Sequence, residues 1–438
     1  MKVLAIVFVL GVVGIIIVLF FQVIIYNTVT TIYHFLIKVA SIANPKAALW
    51  VKGRKQLFEN LRNNYAPNGK KVVWFHCASL GEFEQGRSVI ESLKIENPDI
   101  YIVLTFYSPS GYEVRKDYAM ANLVSYLPAD NAANATKFVE LIKPDIAVFI
   151  KYEFWYHYLN TLSKKNIPTI LVSAIFRKNQ LFFKWYGRLH KAMLKKFTHI
   201  FVQNETSLDL LKKIKITLAE IAYDTRYDRV FAIAQNNKTY PEIEAFTSGY
   251  NVLIAGSSWP ADEKIIAKAF YKSLVHVDFK LIIVPHQLDA RNLAKTKRKF
   301  KKFSLIYSEL HKASEADIGG KRVLILDKMG MLSDIYKYAD VNYIGGGFNK
   351  GVHNTLEAAV YGKPILIGPK YKQFDEAVGL VNTNAALVVR DSDELLNRIN
   401  LMNQFQFIYT GAGLDAHAFI TQRLGGAKIV VNYLNTIV

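Results

Sequence analysis

The sequence predicts an α/β protein: two Rossmann-like domains behind an N-terminal transmembrane helix. Three features predict it. An uncharged apolar run opens the chain, two successive series of short β-branched runs alternate with amphipathic stretches, and a polar segment containing Pro241 separates the two series. Alternation of this kind builds parallel sheets covered by helices on both faces. A chain of 438 residues is also longer than one hydrophobic core usually serves.

From Val3 to Phe21 no charged or strongly polar residue occurs, and the apolar character continues past Gln22 to Ile25. At 1.5 Å rise per residue, about 20 such residues cross the hydrocarbon core. The apolar region of a cleaved signal peptide is shorter, roughly 7–15 residues. Only Lys2 precedes the run, whereas Lys38, Lys46, Lys52, Arg54 and Lys55 follow it. The positive-inside rule then puts the rest of the chain on the cytoplasmic side of a single-pass anchor, residues 1–27.

In the first series Lys71–Phe75, Ile100–Thr105, Ile146–Ile150, Thr169–Val172 and His199–Val202 read as buried strands, and Asn131–Ile142 as a helix between them. The apolar pattern weakens over Ala234–Ser248, the expected linker. The second series runs through Asn251–Ala255, Lys280–Val284, Arg322–Leu326, Val341–Ile344 and Pro364–Ile367. The expected domains are therefore 28–235 and 236–438. In open sheets of this class ligands bind beyond the carboxyl ends of the strands, so the strand-to-helix turns are where chemistry is sought.

Hydrophobic residues at 51% and charged residues at 21% exclude wholesale disorder. The formal net charge of +19 points to nucleic acid, an anionic membrane or a phosphorylated substrate, or to nothing more than solvated lysines. The one cysteine, Cys77, rules out an intramolecular disulfide; lying in an apolar run, it reads as a small buried hydrophobe.

The first chemistry-bearing turn is His76-Cys77-Ala78-Ser79-Leu80-Gly81-Glu82. Gly81 allows a sharp turn and Glu82 opens the next helix. A carboxylate there is either a general base for a hydroxyl or a first-turn residue complementing the helix dipole, and the pattern supports both equally. Glu84 is expected to face solvent. Lys151-Tyr152-Glu153-Phe154-Trp155 follows another strand and suggests a partly buried ion pair or a ligand contact.

In the second series Gly256-Ser257-Ser258-Trp259 opens a helix with hydroxyl and N–H donors, and Met329-Gly330-Met331-Leu332 begins another. Gly345-Gly346-Gly347 follows Val341–Ile344 and leads to His353-Asn354-Thr355-Leu356-Glu357. A helix starting near His353 would offer free N–H groups to a phosphate, with Glu357 one turn on and suited to ribose hydroxyls. A tight structural turn with an incidental histidine is the competing reading. The spacing matches neither a dinucleotide fingerprint nor a P-loop. Asp391-Ser392-Asp393 reads as a helix cap rather than a metal site, and no other cluster has metal-ligand spacing.

Two basic stretches complete the inventory. Arg291–Lys302 reads as a solvated helix face. Phe176–Phe197 mixes seven lysines and arginines with Phe182, Phe183, Trp185 and Tyr186, a combination that suits lipid head groups and the membrane interface better than nucleic acid.

Taken together these residues resemble the Kdo transferases of lipopolysaccharide synthesis, which add the acidic eight-carbon sugar Kdo. The resemblance runs from the anchor nearly to the C-terminus. It rests on Ser79-Leu80-Gly81-Glu82, Glu153-Phe154-Trp155, Gly256-Ser257-Ser258, Met329-Gly330-Met331-Leu332, and Gly345-Gly346-Gly347 followed by His353-Asn354-Thr355-Leu356-Glu357. It implies a GT-B fold, two Rossmann-like domains facing a cleft, with the donor CMP-Kdo on the C-terminal domain and a lipid A precursor (lipid IVA) on the N-terminal one. A final helix, Ala416–Leu434, would pack back on the first domain.

By the same resemblance Glu82 is the catalytic base and Glu153 a second active-site carboxylate. The expected nucleotide-binding residues are Gly256, Ser257, Ser258, Met329, Gly330, Met331, Gly346, His353, Asn354 and Glu357. Ser79, Gly81, Lys151 and Arg177 are expected on the acceptor side. The implied reaction is an inverting displacement at the bacterial inner membrane, with no metal or other cofactor and no nucleic-acid partner. Lys151 stands where many members carry an acidic residue, Ala174-Ile175-Phe176-Arg177 replaces an Ala-Arg-x-Ser motif, and Pro285-His286-Gln287 replaces Pro-Arg-His. Two other readings stay open: a GT-B transferase or epimerase using a UDP-sugar, and a non-catalytic inner-membrane lipid-binding protein.

Overall fold

The computed structural model describes residues 2–273, 279–312, 318, 320–404 and 406–438. The chain divides into two compact units, Met1–Arg226 with Gly425–Val438, and Tyr227–Leu424. The first unit holds a seven-stranded sheet of β1 (Val72–Cys77), β2 (Tyr101–Phe106), β3 (Leu123–Tyr126), β4 (Ile146–Ile150), β5 (Thr169–Ala174), β6 (His199–Val202) and β7 (Ala219–Ile221). Their order is β3-β2-β1-β4-β5-β6-β7, with every pairing parallel.

The apolar runs explain this architecture. Every residue of β1, β2 and β4 is buried, so both faces of the sheet need a helical cover. Along β1, Val72 and Trp74 enter one core with Val103, Phe138, Phe149 and Tyr158. Val73, Phe75 and Cys77 enter the other, with Val89, Ile90, Ile102 and Val148. Each large side chain so buried contributes about 1.5–3 kcal/mol.

The second unit repeats the plan with β8 (Asn251–Ser258), β9 (Phe279–Pro285), β10 (Ser304–Ile306), β11 (Val323–Ile325), β12 (Val341–Ile344), β13 (Ile365–Ile367) and β14 (Ala386–Val388). Their order is β10-β11-β9-β8-β12-β13-β14, again parallel throughout. In each sheet the strand order reverses once, between β1 and β4 and between β8 and β12. The connections leave those neighbours toward opposite faces, which opens a crevice at their carboxyl ends.

The N-terminal helix runs from Lys2 to Ala40, well past residue 27, and its Val18–Ala40 stretch is long and apolar enough to cross a membrane. One face of its later part is docked on the first unit. Gln22 accepts from Leu189 N at 2.8 Å, Tyr26 Oη donates to Asp130 Oδ2 at 2.6 Å, and Asn27 Oδ1 lies 2.7 Å from His157 Nε2. Phe20, Phe21, Ile24, Ile25, Ile32, Phe35 and Leu36 on the remaining surface are exposed. At the other end of the chain, the helix Gly426–Asn435 lies against the helix Leu80–Glu96, and its Ala427, Val430, Val431 and Leu434 complete the second of the two cores.

Ala234–Ser248 is more ordered than its polar composition suggests. It holds the helix Pro241–Thr247, whose Ile243 and Phe246 are buried. Asp391 caps the helix Ser392–Gln404 by accepting from Asp393 N at 2.9 Å and Glu394 N at 2.8 Å.

Candidate functional site

The β1–β4 switch point gathers the acidic turns of the first unit. Ser79 is the N-cap of the helix Leu80–Glu96, which puts Glu82 in the first turn, half-buried, with Gly81 exposed beside it. The Ser79 hydroxyl donates to Glu82 Oε2. Glu82 Oε1 has no partner among the described residues. Glu84 does not face open solvent: Arg115 reaches it at 2.8 Å and Arg87 at 3.8 Å, because the turn of helix that carries it passes both guanidinium groups.

Glu153 follows β4 and is 6% exposed. Its Oε2 lies 3.0 Å from His76 Nε2 and accepts from Trp155 Nε1 at 2.6 Å. His76 is wholly buried on β1, and its other nitrogen meets Thr105 Oγ1 at 2.9 Å. The fixed parallel register of β1 with β4 brings these residues together. Cys77 is buried next to them, and burial first, then the Glu82 and Glu153 charges, push its thiol well above the usual range, so it is inert.

Lys151, directly after β4, has φ +66°, a left-handed conformation costly for a side chain with a Cβ and concentrated at functional turns. Its ammonium lies 5.6 Å from the Tyr152 ring, and Arg177 Nη1 is 3.4 Å from Tyr152 Oη, so Tyr152 links the two cations. Asp224 is fully buried next to the same turn region. Burial acts to raise its pKa, but the two-pronged Arg226 contact outweighs it and holds the carboxyl below its usual range, with Gln85 Nε2 a further donor at 2.9 Å.

At the β8–β12 switch point Ser257 also adopts a left-handed φ of +51°. Ser258 is buried and donates to Glu263 Oε1 at 3.2 Å. Gly256 packs under Tyr336 and Leu332, where a Cβ would collide with the tyrosine. Gly346 has φ +93°, and a Cβ there would strike Gly351 O. Asp262 ties the two turns together. Its Oδ2 accepts from Trp259 N at 2.9 Å and Gly346 N at 2.8 Å, and its Oδ1 accepts from Tyr343 Oη at 2.8 Å. Burial raises its carboxyl against those three hydrogen bonds.

The structure corrects the expected helix at His353. The helix begins only at Leu356 and spans Leu356–Ala359, because Asn354 Oδ1 accepts from Leu356 N at 3.3 Å and folds the preceding residues into a turn. His353 instead accepts from Trp259 Nε1 at 2.7 Å. Asn354 and Glu357 do come together, Nδ2 to Oε1 at 2.9 Å. The helix after Gly330 is equally short, Leu332–Ile335; Met331 is buried beneath it while Met329 is 85% exposed. A cavity of about 440 Å³ opens at the opposite edge of this sheet, lined by the starts of β8, β12 and β13 with Phe279 and His417, and none of the predicted residues lines it.

His76 and His286 stood in motifs the sequence singled out, the turn ending at Glu82 and Pro285-His286-Gln287, but without a role; Asp224, Arg226 and Asp262 were not anticipated. Only Asp262 left a signal, three residues beyond Trp259 at a helix start, where a carboxylate caps the preceding turn.

Two seven-stranded parallel sheets, each in its own unit with helices on both faces, define a GT-B-like fold, and solved structures agree. A UDP-GlcNAc 2-epimerase from Neisseria meningitidis superposes with a TM-score of 0.56 at 14% identity, covering 84% of this chain and 100% of that one. A glycosyltransferase from Rickettsia africae gives 0.56 at 11% identity, covering 84% and 99%. At these identities the likeness is one of fold.

Residues 53–229 match the family described as 3-deoxy-D-manno-octulosonic-acid transferase (kdotransferase). Proteins named 3-deoxy-D-manno-octulosonic acid transferase are similar over most of the chain. The Aquifex aeolicus relative is 27% identical, covering 76% of this chain and 86% of its own length. The Rickettsia typhi relative is 25% identical, covering 78% and 74%.

Proposed function

We propose that this chain transfers Kdo from CMP-Kdo to a lipid A precursor such as lipid IVA, with inversion, at the cytoplasmic face of the bacterial inner membrane. Glu82 is the general base. Its Oε1 takes the proton of an acceptor hydroxyl, the hydroxyl oxygen bonds to the anomeric carbon of Kdo, and the bond from that carbon to the phosphate oxygen breaks, so CMP leaves with the electron pair. The observation that carries this reading is the position of Glu82. It stands half-exposed, with one carboxylate oxygen unengaged, at the switch point of the unit that matches the family.

Glu153, held by His76 and Trp155, keeps a second negative charge fixed beside β1, and Lys151, Arg177, Ser79 and Gly81 are the groups offered to the acceptor. The nucleotide falls to the second unit. Gly346 admits close backbone approach, Ser257 and Ser258 lie on the neighbouring turn, and the joined pair Asn354–Glu357 suits ribose hydroxyls. Met329, Gly330 and Met331 complete that site, and the N-terminal helix holds the protein at its lipid substrate.

Mass spectrometry of lipid IVA after incubation with the full chain and freshly generated CMP-Kdo tests this. Product heavier by one or more Kdo residues is expected. Unchanged lipid IVA with an active donor supply refutes it, and transfer from a UDP-sugar in its place redirects the assignment.

A further inference from the structure

Three rings meet at the carboxyl edge of β8, β9 and β12. The Trp259 indole and the His353 imidazole are coplanar to within 4°, with centroids 6.2 Å apart, and are joined edge to edge by the Nε1–H to Nε2 bond of 2.7 Å. His286, directly after β9, lies over this plane, 4.7 Å from Trp259 and 4.4 Å from His353, with interplanar angles of 23° and 22°. Its backbone N–H donates to Ser258 O at 2.9 Å, which fixes it to the Ser257–Ser258 turn.

The indole bond determines the chemistry of His353. Because Nε2 accepts, the ring proton sits on Nδ1 and the imidazole is neutral. Burial, and then the adjacent His286, bring its pKa down to about 4. His286 differs: it is exposed, and neither ring nitrogen has a partner among the described residues. Trp259 and His353 cover one face of the ring, and the partial loss of water there lowers its pKa in the free protein.

The charged groups on the surrounding elements are already engaged or of the same sign. Asp262 is held by Trp259, Gly346 and Tyr343. Glu263 is held by Lys299 at 2.5 Å and by Thr296 at 2.9 Å, and Asp289 caps Asn292. Lys295 lies with Lys299 along the crevice beside Trp259 and Pro285. None of these carboxylates bonds to either imidazole among the described residues.

We propose that His286 is an anion-responsive residue of the nucleotide site, neutral when the site is free and protonated when the phosphate of a nucleoside monophosphate arrives. The inference deepens the donor-site reading above and rests on it. An incoming phosphate within about 4–6 Å favours an imidazolium, and the face of Trp259 stabilises a cation lying over it. Two stacked imidazoliums would repel each other; Trp259 prevents this by keeping His353 an acceptor at Nε2. His286 is thus a positioning residue that sets charge, and His353 a fixed Nδ1–H donor.

Calorimetric titration of the full chain in detergent with CMP at pH 7.5, in two buffers of different ionisation enthalpy, reads the proton directly. The wild type should take up between about 0.5 and 1 proton per CMP bound. His286→Arg, permanently charged, should bind CMP without that uptake, and any proton exchange it retains belongs to CMP itself. His286→Gln should bind at least about tenfold more weakly, also without uptake, and serves the same comparison at higher CMP if arginine is too large for the site. His353→Gln should keep the uptake. Equal uptake in the wild type and both His286 variants, or none in the wild type, overturns the proposal while CMP binding itself upholds the donor site. No CMP binding by the wild type overturns both.

Discussion

Replacing Glu82 by glutamine separates the two roles open to this carboxylate. The Ser79 hydroxyl donates to Glu82 Oε2, and an amide oxygen in the same place still accepts that bond. The fold then loses only the difference between a charge-assisted and a neutral hydrogen bond on a half-buried residue, about 1 kcal/mol. The chemistry loses its proton acceptor. Removing a positioned general base costs about 10²- to 10⁴-fold in rate, or about 2.7–5.4 kcal/mol of barrier. Urea unfolding should therefore change little, and CMP affinity should stay the same because the residues proposed to hold the nucleotide belong to the other unit. Single-turnover transfer of Kdo to lipid IVA, followed by mass spectrometry, should slow by at least about 100-fold. A rate within about threefold of the wild type would mean that Glu82 merely complements its helix, and the base would have to be sought elsewhere.

Other substitutions test the supporting structure. His76→Ala removes one of the two hydrogen-bond partners of buried Glu153 and should destabilise the first unit by about 1–3 kcal/mol in urea unfolding, with Trp155→Phe costing a similar amount. Arg226→Met leaves Asp224 buried without its counter-ion and should cost about 3–5 kcal/mol at neutral pH. Because Arg226 depresses the Asp224 pKa, that stabilisation is complete above about pH 3.9 and is lost as pH falls through the folded-state value, so the two proteins should converge only in stronger acid. His353 runs the same way for a different reason: its folded pKa of about 4 lies below the unfolded value of 6.5. The unfolded chain binds more protons between those values, so stability should decline as pH drops from 6.5 to 4, and His353→Gln should flatten that slope in thermal unfolding. Gly346→Ala places a Cβ at φ +93° against Gly351 O and should weaken CMP binding at least about tenfold by calorimetry, with a lower Tm.

Ten strands were legible as apolar runs, and each lies within a few residues of an observed one. The four that were not, β3, β7, β10 and β14, are the outer strands of the two sheets. An outer strand has one neighbour and partial cover, so Ala219–Ile221, with Glu220 at its centre, needs no continuous apolar run, while Ala386–Val388 sits in an apolar run too short to tell from a helix segment. The site was legible as turns but not as contacts. Glycines and carboxylates after strands picked out Glu82, Glu153 and Gly346 as candidates, because a turn that follows a strand has a place in the chain order. The union of His76 with Glu153 depends on the register of β1 against β4, and that of Trp259 with His286 and His353 on three separate strand ends. Long-range side-chain partners of this kind carry no local pattern. The helix expected at His353 failed because the Asn354 side chain satisfies Leu356 N and defers the first helical turn.

The closing helix, Gly426–Asn435, has a consequence for how the protein is made. Val430, Val431 and Leu434 fill space between residues synthesised more than 300 positions earlier. Until this helix has been made, the first-made unit lacks a wall of its interior and the strands beneath it are incompletely covered. The portion translated first is therefore finished only after the second unit has been made.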